Sequence, residues 1–307
     1  MDVSVIICSK NRKDNLKAAL ESLAATALPA ERTWEAVIVD NGSNDGTKEL
    51  VSEYLGRPDL RVKYLLEPRR GKSRALNLGL ANAAGGILAF TDDDCVVAPD
   101  WIASLLAEFA ADASLAGLGG RVELFNPLDS DLATRTSRER KDITRANFDP
   151  VFIPIIGCNM AFRREVFAAI GPFNPDVGPG SRWTLGGDDL DLLYRVCRQG
   201  YKVAYCPDVL VRHNHGRRSG SQIDLARKRY LNGRGAFYLR CLFDGDAAVL
   251  KSAWYEARSL ALGAVRGLFR GGAGGDLGVL WAMAKGALAM LEVKTRRGLR
   301  FGTEEKP

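Results

Sequence analysis

The chain has 307 residues, 46% of them hydrophobic and 26% charged, with a formal net charge of +6. That is globular composition, which excludes disorder outside the polar end Gly302 to Pro307 and allows one large α/β domain with an appendage, or two modest domains. The mild basic excess fits anionic partners such as phosphates, nucleic acid or anionic lipid, and fits a solvated Arg-rich surface equally well.

The elements alternate from the start. Val3 to Cys8 is a short apolar run, as expected of a strand buried on both faces of a parallel sheet. Asn15 to Ala25 carries Leu16, Ala19, Leu20 and Leu23 at helical spacing. Trp34 to Val39 is a second strand, and it ends in the turn-rich Asp40-Asn-Gly-Ser-Asn-Asp-Gly46. Thr47 to Tyr54 is a helix, Val62 to Leu66 a strand, Ser73 to Ala83 a helix and Ile87 to Phe90 a fourth strand; Trp101 to Ala110 is helical. This alternation predicts a doubly wound, mostly parallel α/β sheet, Rossmann-like and flanked by helices, with ligands at the carboxyl ends of its strands.

From Gly117 the rhythm changes. Val122 to Phe125 reads as a strand, and Asn126 to Asp149 as a mobile polar loop with one helix. Ile153 to Phe162 is apolar, and Glu165 to Ile170 is a helix stopped by Gly171-Pro172. Leu190 to Gln199 is a helix, Tyr201 to Tyr205 and Val209 to His213 are two strands, and the rest is helical with a break at Gly271 to Gly275. The six cysteines form no CxxC pair, which argues against a zinc site; Cys8, Cys158 and Cys197 read as buried, and a reducing cytosolic setting fits. No secretory leader is expected at the N-terminus, and no stretch reaches the ~18 apolar residues of a membrane span.

Chemistry concentrates where strands end. Asp92-Asp-Asp94 follows the fourth strand directly. Carboxylates this close repel, so one pKa should rise unless a cation is present. Asp92 and Asp94 suit a hard cation such as Mn2+ or Mg2+ with substrate phosphate, and a solvated acidic turn is the plainer reading. Asp40, at the end of the second strand, can accept from a base or a ribose hydroxyl, or cap its own turn. Gly71-Lys-Ser lacks the glycine that a Walker loop needs at position 66, which is Leu, so Lys72 and Arg74 are either phosphate contacts or exposed helix charges. There is no G-x-G-x-x-G after the first strand, which argues against a dinucleotide. Gly186-Gly-Asp188-Asp189-Leu-Asp191 opens a helix, as capping charge or as a general base at a flexible junction. His213 and His215, followed by Arg217 and Arg218, offer a metal ligand and a pyrophosphate clamp.

Seven segments carry a family resemblance: Val3 to Arg12, Val39 to Thr47, Gly71 to Gly79, Phe90 to Asp94, Gly157 to Arg163, Gly171 to Phe173 and Gly187 to Arg195. In these, over residues 3 to 215, the chain resembles the family 2 inverting glycosyltransferases of GT-A fold. The resemblance implies a nucleotide-sugar donor held by Ser9, Asn11, Arg12, Asp40, Lys72, Arg74, Asn77, Asp92 and Asp93, with Asp40 on the nucleobase, usually uracil. It implies Mn2+ or Mg2+ on Asp92, Asp94 and His213, with Asp94 the direct ligand, and catalytic Asp188 and Asp189, the latter as base toward a glycan, lipid-linked or other hydroxyl acceptor. Asp188 departs from the Glu common at that place, which should alter acceptor contacts more than the chemistry.

The expected organisation is a catalytic domain at 1–240 and a helical extension at 241–307. Apolar stretches with scattered Arg and Lys, ending in Lys294-Thr-Arg-Arg-Gly-Leu-Arg300, suit three uses: packing on the catalytic domain, a homodimer, or peripheral contact with the inner face of the membrane. Three other functions compete. A nucleotide-sugar pyrophosphorylase would want glycines in Cys8-Ser-Lys-Asn-Arg12. A non-catalytic sugar-binding module would not need Asp92, Asp94 and Asp189 together. Nucleic-acid binding lacks an aromatic stacking platform.

Overall fold

The computed structural model describes residues 1–181, 186–269 and 274–301. Residues 271–273 of the expected glycine break and the polar end at 302–307 lie outside the described residues. Two compact units emerge. The first comprises Met1–Phe148, Phe152–Phe173 and Leu192–Arg218; the second comprises Asp149–Val151, Asn174–Asp191 and Ser219–Pro307.

The first unit is built on a nine-stranded mixed sheet. Its strands are β1 (Val3–Ser9), β2 (Trp34–Asp40), β3 (Val62–Leu66), β4 (Ile87–Asp92), β5 (Cys95–Val97), β6 (Leu115–Leu124), β7 (Lys141–Ile143), β8 (Asn159–Arg163) and β9 (Lys202–His213). They lie in the order β3-β2-β1-β4-β8-β6-β9-β5, with β7 on β9. Strands β3, β2, β1 and β4 are mutually parallel, as the alternating pattern predicts. Val3, Val5, Ile6 and Ile7 are fully buried, and so are Ala36 to Val39, because both faces of this half are covered. Helices α1 (Lys13–Ala24), α2 (Thr47–Ser52), α3 (Lys72–Asn82), α4 (Trp101–Ala111) and α5 (Arg164–Ile170) connect or flank the strands. The buried face of α1 is Leu16, Ala19, Leu20 and Leu23, the set its spacing marks.

The middle of the chain departs from expectation. β6 begins at Leu115, not at Val122, and its early part carries Ala116, Gly117, Gly119 and Gly120 beside Leu115 and Leu118. These small residues let neighbouring side chains lie against the backbone: a Cβ on Gly117 would stand 2.5 Å from Phe162 Cε1, and one on Gly119 2.7 Å from Ile155 Cγ1. Among the described residues 126–149 hold no helix; β7 lies there, pairing antiparallel with β9. The two strands expected near Tyr201 and His213 are one, β9, which absorbs Pro207 in a register shift against β6 between Gly120 and Arg121. Cys8 is half-buried instead of buried; Cys158 and Cys197 are buried as expected.

Asn159 ties the sheet together from a fully buried position. Its Oδ1 accepts from Trp101 Nε1 at 3.0 Å, and its Nδ2 donates to the Arg121 and Val209 carbonyls at 2.9 Å each. This fixes β6, β8 and β9 beside the strand end that carries His213.

The helix α6 (Asp188–Arg198) starts in the second unit and ends in the first. The second unit is otherwise dominated by α7 (Gly220–Phe243), α8 (Val249–Phe269) and α9 (Gly274–Phe301). Ser219 caps α7 with a capping box completed by Gln222. Val177, Ala236 and Met290 form one small apolar cluster among this unit's described residues. Among the described residues no helix is long and apolar enough to cross a membrane.

Candidate active site

Parallel register brings the strand ends together: Ser9 of β1 stands opposite Asp40 of β2, and Cys8 opposite Asp92 of β4. This is the carboxyl edge of the sheet, where the alternating pattern predicts a ligand. The connecting loops are stitched to one another. Asn11, at φ 52, accepts from the Asn44 N–H at 2.8 Å and donates its own N–H to Ser43 Oγ at 2.9 Å. Asn41 donates from Nδ2 to the Glu67 and Arg69 carbonyls and accepts from the Gly71 N–H at 2.9 Å. That last bond sets the start of α3 and with it Lys72.

The acidic run is a turn between β4 and β5, and all three carboxylates are partnered, Asp93 and Asp94 sharing Arg12. Lys72 pairs with Asp92. Ser9 donates its hydroxyl to Asp93 at 2.8 Å, and Arg12 lies 3.5 Å from the same carboxyl. Asp94 binds Arg12 through Oδ2 and stands 3.2 Å from His213 Nε2 through Oδ1. Cys95 and His213 are opposite each other in the β5–β9 ladder, which is how a residue more than a hundred positions away reaches the turn.

The electrostatics follow from this crowding. Burial pushes the Asp93 carboxyl up to about 7 against the opposing pull of Arg12, with Asp94 adding to the rise. That is the rise expected of one member of the run. Burial also opposes the charge on Asp94, but His213 and Arg12 overcome it and hold this carboxyl well below the usual range. Burial likewise works against charge on His213, yet the hydrogen bond to Asp94 and the nearby negative charges lift it to about 9.

One group of possible metal ligands stands out among the described residues. Donor atoms of Asp94, Cys95 and His213 all lie within 4.8 Å of one another, and all three residues are buried. His213 Nδ1 is buried without a hydrogen-bond partner. Carboxylate and imidazole are donors that Mn2+ accepts, while burial raises the Cys95 thiol well above its ordinary value and keeps it protonated, a poor ligand for a hard cation. A hard cation therefore fits on Asp94 and His213, and its binding would displace the proton that His213 holds toward Asp94. Asp92 is outside this group and is turned to Lys72.

The other sequence-derived residues divide. Asp40 is buried at the end of β2, accepting from the Ser43 N–H at 2.8 Å and the Tyr64 hydroxyl at 2.9 Å. Tyr64 escaped sequence reasoning because it reads as an ordinary apolar strand position. Arg74 is half-buried on α3, near enough to Glu67 to help Arg69 depress that carboxyl. Asn77 gives both ends of its amide to the backbone of Phe173, at 2.8 Å each, and so clamps the turn after α5. His215 is a loop fastener: it accepts the Arg217 N–H and meets the Ser130 carbonyl at 3.0 Å. Arg218 pairs with Asp129 at 2.7 Å, whereas Arg217 keeps a buried guanidinium nitrogen, Nη1, without a hydrogen-bond partner. In the second unit, Asp188 and Asp189 form the first turn of α6, with Gly187 at φ 87 just before them.

The chain is 28% identical over 241 residues to the glycosyltransferase AglE of Haloferax volcanii, covering 76% of this chain and 72% of that one. The fold is that of the mannosyltransferase PcManGT from Pyrobaculum calidifontis, solved in complex with GDP-Man and Mn2+ (TM-score 0.64, 24% identity, 93% and 86% of the two chains). It is also similar to S. aureus TarS 1–349 in complex with UDP-GlcNAc (TM-score 0.58, 18% identity, 76% and 67%), and the chain spans 38% of full-length TarS. The GT-A expectation therefore holds. The model for "Glycosyl transferase family 2" matches residues 4–171, over half of the chain, and takes in the three strand ends and the Asp run. On that match the chain belongs to glycosyl transferase family 2, as a glycosyltransferase.

Proposed function

We propose that the chain transfers a sugar, with inversion, from a uridine-diphosphate donor to a hydroxyl of a glycan or lipid-linked acceptor, assisted by Mn2+ or Mg2+. The observation that carries this reading is the convergence of Asp94 and His213 at the sheet's carboxyl edge, with the cations Arg12 and Lys72 beside them. Asp94 and His213 would hold the ion, which when bound supplies positive charge for the departing diphosphate. The chain's own residues do the rest. Asp40, Ser9 and Asn11 border the nucleoside end. Lys72 and Arg217 meet the phosphates, Arg217 with its unpartnered nitrogen and Lys72 by exchanging Asp92 for phosphate. Asp189 takes the proton from the acceptor hydroxyl, whose oxygen attacks the anomeric carbon as the diphosphate leaves from the opposite face.

The test is release of free nucleoside diphosphate across a donor panel with and without chelator. One UDP-sugar should be turned over with Mn2+ or Mg2+ and lose most of that rate in EDTA. Turnover of GDP-sugars alone would replace the uridine assignment, and full turnover in EDTA would remove the ion.

We also propose that α8 rests on an anionic membrane surface. Leu250, Trp254, Tyr255, Leu262 and Val265 are exposed along it, with the exposed cations Lys251 and Arg258 among them. Apolar and aromatic side chains interleaved with cations suit the headgroup boundary. Anionic vesicles should carry the chain upward in flotation, and Trp254→Ser with Tyr255→Ser should lose most of that recovery. Equal recovery of the two proteins would count against the contact.

A further inference from the structure

We infer that α7, braced by α9, is a positioning element for the acceptor-side carboxylates, acting through Gly233 and Arg240. This rests on the reading of Asp189 as the base.

The loop that delivers Asp188 and Asp189 is Gly186-Gly187, and Gly187 takes a positive φ of 87° that side-chain-bearing residues rarely adopt. Two glycines in succession leave the loop little stiffness of its own. What restrains it is the backbone of α7. A Cβ on Gly233 would stand 2.8 Å from Gly186 Cα and nearer still to its carbonyl, so the helix and loop touch through bare backbone. Gly186 in turn lies against the Arg229 carbonyl one turn earlier on α7, at 3.4 Å for an added Cβ.

A charge contact completes the grip. Asp191, also in the first turn of α6, is 2% exposed, and it pairs with Arg240 of α7, which is 8% exposed. Three carboxylates share that turn, and Arg240 neutralises the most buried one. A buried ion pair is weak evidence for net stability, since its desolvation offsets its attraction. Its geometric effect is clearer: it sets the rotation of the first turn of α6 about the helix axis, two residues from Asp189. Arg240 also reaches Asp244 at 3.4 Å, and Lys294 of α9 lies 3.5 Å from the same carboxyl.

α7 is itself held in place. It crosses α9 at glycines on both sides. A Cβ on Gly235 would stand 2.8 Å from the Met283 carbonyl carbon, and one on Gly286 2.7 Å from that of Asn232. Side chains there would force the helices apart and release Gly233 from the loop. The C-terminal helices thus connect, through unbroken backbone contact, to the loop bearing the base.

The test compares Gly233→Ala, Arg240→Met and the charge-free pair Asp191→Asn with Arg240→Gln, all in the full chain, against Asp189→Asn. Circular dichroism and a melting curve fix a temperature at which each is folded. Transfer kcat and the dissociation constant for UDP with Mn2+ are then measured. Misplacing a catalytic group by about 1 Å can cost on the order of 10²-fold, so kcat should fall at least about tenfold while nucleotide affinity stays within about twofold. A purely structural role would lower the melting temperature and leave kcat of the folded protein alone. Should either single variant not fold, the charge-free pair, which keeps both shapes, decides. Folded variants with wild-type kcat beside an inactive Asp189→Asn overturn the positioning role alone. An active Asp189→Asn overturns the base assignment and this inference with it.

Discussion

Asp94→Asn is expected to abolish tight Mn2+ binding and to lower transfer by about 10²–10³-fold, the loss typical when one preorganised charge is removed from an active site. Asp94 is 5% exposed and sits between two cationic groups, with Oδ1 on His213 and Oδ2 on Arg12. Asparagine keeps the shape and one acceptor oxygen, so the turn between β4 and β5 should persist. What it lacks is the negative charge that makes a carboxylate a strong ligand for a hard cation. Asp92→Asn is the control: its carboxylate is engaged by Lys72, so its cation affinity should stay nearer the wild-type value. A Mn2+ titration followed by electron paramagnetic resonance reads the affinity, and nucleoside diphosphate release reads the transfer. Wild-type Mn2+ affinity in Asp94→Asn would end the assignment of this ligand.

What was legible in the sequence follows from where the physics is local. The parallel half announces itself because strands buried on both faces must be apolar almost throughout, as Val3 to Cys8 and Ala36 to Val39 are. Helix α1 is legible because one face alone is buried. β6 is not, because its packing partners Phe162 and Ile155 come from elsewhere in the chain and demand glycine where strand propensity expects β-branched residues. β7 hides for the opposite reason. Two of its three residues are exposed and charged, so only pairing with β9 makes it a strand.

The site divides the same way. Asp40 and Asp92 lie at strand ends, and strand ends can be read from the apolar runs before them. The partnerships Ser9 with Asp93, Arg12 with Asp94 and Lys72 with Asp92 cannot be read so, because they depend on which strands are neighbours and in what register. Asn77 is the instructive case. Its motif resemblance points to the donor, yet its amide is engaged by Phe173, ninety-six residues on. His215 teaches the same lesson: two histidines two apart look equivalent, and only the β5–β9 ladder brings His213 to the acidic turn.

Asp189→Asn should leave donor and cation binding intact and remove most transfer. The substitution keeps the side chain's size and its Oδ1, which accepts from the Leu190 N–H at 2.8 Å in the first turn of α6. The helix start is therefore preserved. The variant loses a group able to take a proton. General-base assistance typically contributes ~10²–10⁴ in rate, so kcat should fall by that factor while the donor's dissociation constant stays within about twofold. Asp188→Asn separates the neighbouring carboxylates: if Asp188 touches the acceptor, its loss should appear mainly as a raised acceptor KM. The two outcomes are distinct because a base acts only in the transition state, whereas a binding contact acts in the ground state as well. A variant Asp189→Asn with near-normal turnover, or an Asp188→Asn that loses kcat in its place, would move the base by one residue or out of this turn altogether.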